Sequence, residues 1–240
     1  MKGVLLRRAP AARLVDLSHA IPPQDVLTAA FVLLHAAREF PPETVHLAVV
    51  DPGVGTRRRA VAMRTRWGIF VAPDNGLLGL VAAHTPSETR VIDSPELRAD
   101  RLSPTFAGRD LFACAAGSLA AGFAFAAVGP LVAGVQPAPV PPPSRQAWAV
   151  CGQVIVVDHF GNLVTNIGAA DLPGPRDRLV VRASAAPELR GVLRTYSDVA
   201  SGEALALVGS AGLLEIAVRD GSAAARLGLA RGAPVHVFHV

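Results

Sequence analysis

The sequence predicts an α/β protein of two domains: an N-terminal α/β domain with a mainly parallel sheet flanked by helices, and a C-terminal β-barrel-like domain. Strand-like and helix-like segments alternate up to about residue 135, whereas short strands separated by turn residues dominate after residue 146. A proline-rich stretch, "QPAPVPPPSR", lies between them. We therefore expect domains at 1–135 and 146–240, joined by a stiff linker at 136–145.

Local patterns predict the elements of the first domain. Residues 13–18 alternate like a strand, and 25–40 have helical periodicity, with Asp25 able to cap the helix and a Pro-Pro pair after it. Residues 44–51 are apolar and β-branched, as in a buried strand. The later elements are a hairpin of strands 60–65 and 68–73 around Trp67-Gly68, a helix at 75–84, a strand at 89–93 and a helix at 108–122.

The second domain is predicted to be mostly short strands. Its turn signals include "DHFGN", "PGP" and "SAG". The predicted strands are 147–158, 162–167, 178–183, 204–209, 213–218 and 234–240, with one short helix near 222–228.

Composition excludes several classes of function. The chain is 51% hydrophobic and 18% charged, so it can bury a core. Its net charge of +4 comes almost entirely from scattered arginines, which does not favour nucleic-acid binding. The apolar stretch 111–135 is rich in Ala and Gly and contains Pro130, so it fits a buried helix better than a membrane span. Cys114 and Cys151 share no metal-ligand spacing, so we expect no metal and a reducing, cytoplasmic location.

Four stretches resemble sites more than scaffold: "VVDPGVGTRRR" (49–59), "APDNGLL" (72–78), "TFAGRD" (105–110) and "VDHFGNLVTNI" (157–167). The first delivers Asp51 to a glycine-rich loop at a strand end, where ligands of α/β sheets bind. Each also has a purely structural interpretation: a turn with a surface ion pair, a helix cap, a helix start and a tight turn, respectively.

Taken in this order, the four motifs resemble those of the S-adenosyl-L-methionine (SAM) hydroxide adenosyltransferases, the adenosine-forming SAM hydrolases related to SAM-dependent fluorinases and chlorinases. The resemblance implies hydrolysis of SAM to adenosine and L-methionine by SN2 attack of water or hydroxide at C5′, without a cofactor. It also implies a homotrimer in which the substrate lies between the N-terminal domain of one subunit and the C-terminal domain of the next.

The resemblance also implies roles for individual residues. Asp51 and Arg58 form the catalytic water site, and a carboxylate at position 51 disfavours a halogenase, because halogenases carry Tyr there and a carboxylate repels halide. The implied substrate-binding residues are Phe106 and Gly108 beside the ribose and reacting carbon, Asp158 at the methionine amino group, Asn162 and Tyr196 at the adenine, and Ser210 near the methionine carboxylate.

Two departures from the family pattern lead to an alternative. Family hydrolases read "TFHGRD", whereas this chain has Ala107 at the position of that histidine. A histidine there could accept a proton, and loss of such a group typically slows a reaction about 10²–10⁴-fold. Family members also open with a strand ending in a motif like "TDFG", and the present sequence begins after it. The alternative is therefore a non-catalytic or weakly active SAM- or adenosine-binding homologue.

Overall fold

A computed structural model describes residues 1–146, 148–184 and 186–240. The chain divides into two compact units, Met1–Pro139 and Val140–Val240, which we describe separately. The division falls within the proline-rich segment 136–145.

The first unit contains a five-stranded sheet with helices on both faces. Its helices are α1 (Lys2–Arg8), α2 (Val26–Ala37), α3 (Gly79–His84) and α4 (Ala113–Ala120). Its strands are β1 (Val45–Leu47), β2 (Ala60–Thr65), β3 (Gly68–Pro73), β4 (Glu88–Val91) and β5 (Leu131–Val132), in the order β1-β3-β2-β4-β5. As predicted, Asp25 caps α2 by accepting a hydrogen bond from the backbone N–H of Thr28 at 3.1 Å.

The α/β class is confirmed, but the prediction of a mainly parallel sheet is wrong in detail. Only β1 and β3 pair in parallel, whereas β2–β3, β2–β4 and β4–β5 are antiparallel. The reason is the connection between strands: β2 and β3 are joined by the short turn at Arg66-Trp67, which reverses the chain direction.

The predicted strand at 13–18 is also wrong. These residues have no regular secondary structure and are largely exposed, and the described sheet ends at β1 without pairing to them. A strand needs a hydrogen-bonding neighbour, which an alternating pattern alone does not supply. The segment is held instead by surface contacts such as the ion pair between Lys2 and Asp16 at 2.6 Å.

Alternation along the strands of the first unit produces two separate apolar layers. On one face Met63 and Phe70 pack against α2 and α3, and on the other Ala62 and Val71 pack against α4. Phe70 is completely buried, which contributes about 1.5–3 kcal/mol. The sheet is therefore a rigid support for the loops at its strand ends.

The second unit is a nearly closed, barrel-like sheet, as predicted. Its strands are β6 (Ser144–Arg145), β7 (Ala149–Val157), β8 (Leu163–Gly168), β9 (Leu179–Ala183), β10 (Leu189–Arg190), β11 (Ala204–Val208), β12 (Leu213–Val218) and β13 (Pro234–His239). Their order is β10-β9-β13-β7-β8-β12-β11, with β6 on β7, and a bridge between Leu193 and Leu207 brings the two ends together.

Three further observations bear on the predictions for this unit. The short helix α5 (Ala223–Leu227) lies where it was expected. Position 147, where the first strand was expected to begin, lies outside the described residues. Among the described helices, none combines the length and the apolar character needed to cross a membrane.

Candidate functional site

Asp51 and Arg58 form a close ion pair just beyond the end of β1. Arg58 Nε donates to Asp51 Oδ1 at 2.8 Å and to Oδ2 at 3.0 Å, and Nη2 donates to Oδ2 at 2.5 Å. Both side chains are largely buried, with exposed fractions of 7% for Asp51 and 13% for Arg58. The guanidinium lies over the Phe112 ring, 5.0 Å from its centre. The hydrogen bonds between the two side chains and the stacking of Arg58 on the Phe112 ring therefore fix the position of the pair.

The loop between Asp51 and Arg58 is shaped by glycines. Gly55 has φ +82°, a conformation that favours glycine, and a Cβ at this position would lie 3.7 Å from the carbonyl oxygen of Pro104. Gly108 in turn lies against the side chain of Val49, two residues before Asp51. The first and third motifs are thus brought together around the ion pair.

The last three residues of the "TFAGRD" stretch begin a π-helical turn, Gly108–Phe112, which continues directly into α4. Such turns are rare and occur frequently at functional sites. Phe106, 49% exposed, lies beneath the Arg109 guanidinium, with 4.6 Å from Arg109 Cζ to the ring centre. Hydrogen bonds from Arg109 and from the Ser103 backbone N–H lower the pKa of Asp110. Arg109 and Asp110 therefore fix the loop, and Phe106 remains accessible.

Arg59 points away from Arg58 and anchors a different part of the chain. Arg59 Nε donates to Asp74 Oδ2 at 2.7 Å, and Arg59 Nη2 donates to the carbonyl of Gly134 at 3.0 Å. The other oxygen of Asp74 accepts from the backbone N–H of Gln136 at 2.7 Å. The sequence interpretation that Asp74 or Asn75 caps the following helix is wrong: Asp74 binds Arg59 and Gln136, Asn75 accepts from the backbone N–H of Leu77, and no side chain of the described residues caps α3.

In the second unit, Asp158 organises the turn that follows β7. Its Oδ1 accepts from the backbone N–H groups of Phe160 and Asn162 at 2.9 and 2.8 Å, and its Oδ2 accepts from Asn162 Nδ2 at 2.9 Å. Gly161 in this turn has φ +85° and packs against Ser222. Asn162 is buried, and the structure gives its Oδ1 no hydrogen bond within the described residues.

Tyr196 and Glu215 meet near this turn. The hydroxyl of Tyr196 donates to Glu215 Oε2 at 3.4 Å. Burial and then the charges of Glu215 and Asp158 raise the pKa of Tyr196, which is 42% exposed. Burial and then the Asp158 charge also raise the pKa of Glu215. Ser210 is exposed in the turn between β11 and β12.

The structure therefore groups the candidate residues in two clusters, one in each unit. Asp51 and Arg58 are in direct contact, with Gly108 nearby; Asp158 and Asn162 are in direct contact in the second unit. Glu215 was missed from the sequence, although a single carboxylate within the apolar strand "LLEIAV" is a usable signal.

His159 lies in the turn after β7 and is exposed beside Phe160, with 5.8 Å between the ring centres. Across residues 1–146, 148–184 and 186–240, no three His, Cys, Asp or Glu side chains are grouped so that they could hold a metal ion.

The fold and these clusters define a class of two-unit proteins with one polar site at the strand ends of an α/β unit and another at the end of a barrel. Models of the SAM hydroxide adenosyltransferase family match both units: the N-terminal domain over residues 1–129 and the C-terminal domain over residues 152–236. The chain belongs to this family.

Individual relatives agree with this assignment. The chain is 41% identical over 250 residues to a protein of Thermus thermophilus named (R)-S-adenosyl-L-methionine hydrolase, covering 99% of this chain and 92% of the relative. A fluorinase of Nocardia brasiliensis is more distant, at 30% over 271 residues, covering 98% and 90%. The crystal structure of an uncharacterized conserved protein from Thermotoga maritima shares the fold, with a TM-score of 0.90 and 38% identity, covering 99% of this chain and 93% of that one.

Proposed function

We propose that this protein hydrolyses SAM to adenosine and L-methionine by attack of water at C5′. The observation that carries the proposal is the buried Asp51–Arg58 pair at the end of β1, in a chain that belongs to this family. Similarity to a relative named as a SAM hydrolase, along 99% of the chain, supports the same reaction.

The reaction needs little beyond positioning. The water oxygen bonds to C5′ as the C5′–S bond breaks, and the electron pair of that bond returns to sulfur. Methionine leaves as a neutral thioether, so no general acid is required, and the proton that the attacking water loses passes to bulk water. Asp51 accepts a hydrogen bond from the water, and Arg58 stabilises the negative charge that develops on its oxygen. Because Arg58 already donates to both Asp51 oxygens, Asp51 acts mainly by orienting the water.

The remaining candidate residues bind the substrate in this proposal. Phe106 and Gly108 lie beside the ribose and the reacting carbon. Asn162 Oδ1 accepts from the adenine amino group, a role supported by the commitment of its Nδ2 to Asp158. The Tyr196 ring packs on adenine, and the exposed hydroxyl of Ser210 donates to the methionine carboxylate.

The central experiment follows product formation and the source of oxygen. Purified protein incubated with SAM in H₂¹⁸O should release methionine and adenosine labelled at the 5′ oxygen. Asp51→Asn should lose at least about 100-fold in kcat, whereas Asp93→Asn, a change at an exposed surface ion pair, should not. Tight binding without turnover, or a halogenated nucleoside formed with added halide, would contradict the proposal. Running both sulfonium epimers separately tests whether the chain shares the (R) preference named in its relative.

We also propose a homotrimer whose active sites combine the first unit of one copy with the second unit of another. Light scattering measures the assembly. Complementation tests the shared site: Asp51→Ala and Asn162→Ala, each inactive alone, should regain part of the activity when they are unfolded and refolded together. If co-refolded trimers stay inactive, both clusters must come from the same copy.

The proposed reaction uses SAM as substrate, without a cofactor or metal, in the cytoplasm. Undiminished activity after dialysis against EDTA would support a reaction that needs no metal. The two free cysteines, Cys114 and Cys151, fit a reducing compartment, and cell fractionation measures the location.

A further inference from the structure

The backbone ladder between β1 and β3 stops before it reaches the proposed water site. In this parallel pair, every second residue of β3 is oriented to donate its N–H to β1. Ile69 donates to the carbonyl of Thr44 at 3.0 Å, so the register puts the later donors at positions 71 and 73. The N–H of Ala48 still donates to the carbonyl of Val71 at 3.1 Å. Pro73 has no N–H, so the ladder from β3 ends there.

The side chain of Asn75, the second residue after β3, supplies the bond that the backbone does not make. In the same register its N–H would be the next donor, but it donates to the carbonyl of Pro73 at 3.1 Å. Asn75 Nδ2 instead donates to the carbonyl of Val50 at 2.9 Å, and within the described part of the chain no backbone N–H donates to that oxygen. The Val50 carbonyl and the Cα of Asp51 belong to one planar peptide group. This bond therefore fixes the backbone from which the Asp51 carboxylate extends.

The amide of Asn75 is held at its other end as well. Its Oδ1 accepts from the backbone N–H of Leu77 at 3.3 Å, and the Leu77 side chain is completely buried in the core. The reverse orientation of the amide would put its oxygen against the Val50 carbonyl and its N–H groups against the Leu77 N–H. Because only one orientation satisfies both neighbours, Asn75 connects the Val50 carbonyl to a fixed point of the core.

We propose that Asn75 is a positioning residue for hydrolysis, which acts through the Val50 carbonyl to hold Asp51 in place. This inference rests on the proposed function. The ion pair with Arg58 joins two residues of one loop, so by itself it leaves the pair free to shift as a unit. The bond from Asn75 joins that loop to the end of β3. Arg58 thus orients the carboxylate, and Asn75 sets where the carboxylate lies relative to the sheet.

The test removes the bond to Val50 in two ways. Asn75→Asp keeps the oxygen that accepts from Leu77 but loses the Nδ2 donor, and Asn75→Ala removes both contacts without adding charge. Each variant should lower kcat for adenosine release from SAM about 5- to 100-fold, the effect of leaving the Val50 carbonyl unpaired. KM should change less than about threefold, because Asn75 acts on the residue that orients water and does not touch SAM.

Thr65→Val is the matched control at the opposite end of the β2–β3 hairpin. The Thr65 hydroxyl also connects two backbone groups, since it accepts from the N–H of Trp67 at 3.0 Å and donates to the carbonyl of Gly68 at 3.5 Å. Its loss should lower the melting temperature without changing kcat per folded molecule. The folded fraction of every variant is measured by circular dichroism under the assay conditions.

Three results would overturn the inference. The first is a wild-type kcat in either Asn75 variant. The second is a loss of activity that only matches the loss of folded protein, since a merely structural role would leave kcat per folded molecule unchanged. The third is an equal fall of kcat in Thr65→Val, which would show that the reaction responds to any weakening of this sheet.

Failure of the proposed function gives a different result. If wild type forms no adenosine from SAM, the hydrolysis proposal fails, and hydrogen–deuterium exchange decides the role of Asn75 without turnover. The backbone amides of residues 51–58 should exchange faster in Asn75→Asp than in wild type, because the loop has lost its bond to the end of β3. In Thr65→Val they should exchange at the wild-type rate. Equal exchange of this loop in wild type and Asn75→Asp would reject the positioning role.

Discussion

Replacing Arg58 by lysine keeps the positive charge beside Asp51 and removes the geometry that holds it. In the structure Nε and Nη2 of Arg58 hold the carboxylate from two directions, at 2.8 Å to Oδ1 and 2.5 Å to Oδ2. A lysine ammonium can occupy one of these positions but not both. The lost charge-assisted bond is worth about 1.5–3 kcal/mol, and the lost contact with the Phe112 ring about 0.5–1 kcal/mol.

Together, the two lost interactions contribute about 2–4 kcal/mol of the free energy that holds Asp51 in its orientation. If all of it is expressed in the transition state, kcat falls by roughly 30- to 1000-fold, with a smaller change in KM. The assay is adenosine release from saturating SAM, with Arg57→Lys as the control, because Arg57 is the exposed neighbour in the same loop. An Arg58→Lys enzyme within threefold of wild type would show that bidentate geometry is not what the reaction uses, and so would an equal loss in Arg57→Lys.

Three further predictions concern other parts of the two clusters. Ala107→His should raise kcat at least about tenfold and introduce a pH dependence near neutrality; an unchanged rate would exclude a histidine role at this position. Gly161→Ala should lower the free energy of unfolding by about 3 kcal/mol or more in urea titrations, because it combines a φ of +85° with overlap of the Ser222 side chain; Gly232→Ala, with φ +90° and open space, should cost only about 1–2 kcal/mol. Because the pKa of Glu215 is raised on folding, the folded state binds its proton more tightly than the unfolded chain, so stability should fall as pH rises from the ordinary glutamate range through the raised value. That fall should be smaller in Glu215→Gln. Equal pH profiles of the free energy of unfolding for wild type and Glu215→Gln would show that Glu215 does not have a raised pKa in the folded state.

Local sequence patterns predicted the elements whose partners lie nearby in the chain. The hairpin of β2 and β3 was predicted correctly because two alternating segments flank Trp67-Gly68 and pair with each other. The segment 13–18 carries the same kind of alternation but forms no strand, because pairing depends on a neighbour that local pattern does not specify. Sheet direction was mispredicted for a related reason: it follows from the connections between strands.

In the candidate site, too, contacts between residues close in sequence could be predicted, and contacts between distant strands could not. The contacts of Asp51 with Arg58 and of Asp158 with Asn162 join residues seven and four positions apart, within the motifs that singled them out. Glu215 meets Tyr196 and Asp158 only through the pairing of strands distant in sequence. The sequence marks it as a lone carboxylate in an apolar strand, but only the fold shows that it is buried beside Tyr196.

Two adjacent arginines link the proposed catalytic pair to the start of the proline-rich segment between the units. Arg58 donates to the carboxylate of the proposed water site, while Arg59 is bound to Asp74 and Gly134 next to the start of the proline-rich segment. Because Arg58 and Arg59 are adjacent in the chain, a displacement of residues 134–136 is transmitted to Asp51 through a few covalent and hydrogen bonds. An insertion or deletion at residues 134–136, for instance of a reporter, should therefore lower kcat although it lies outside the substrate pocket. An insertion a few residues later, beyond the contact of Gln136 with Asp74, should leave the first cluster undisturbed.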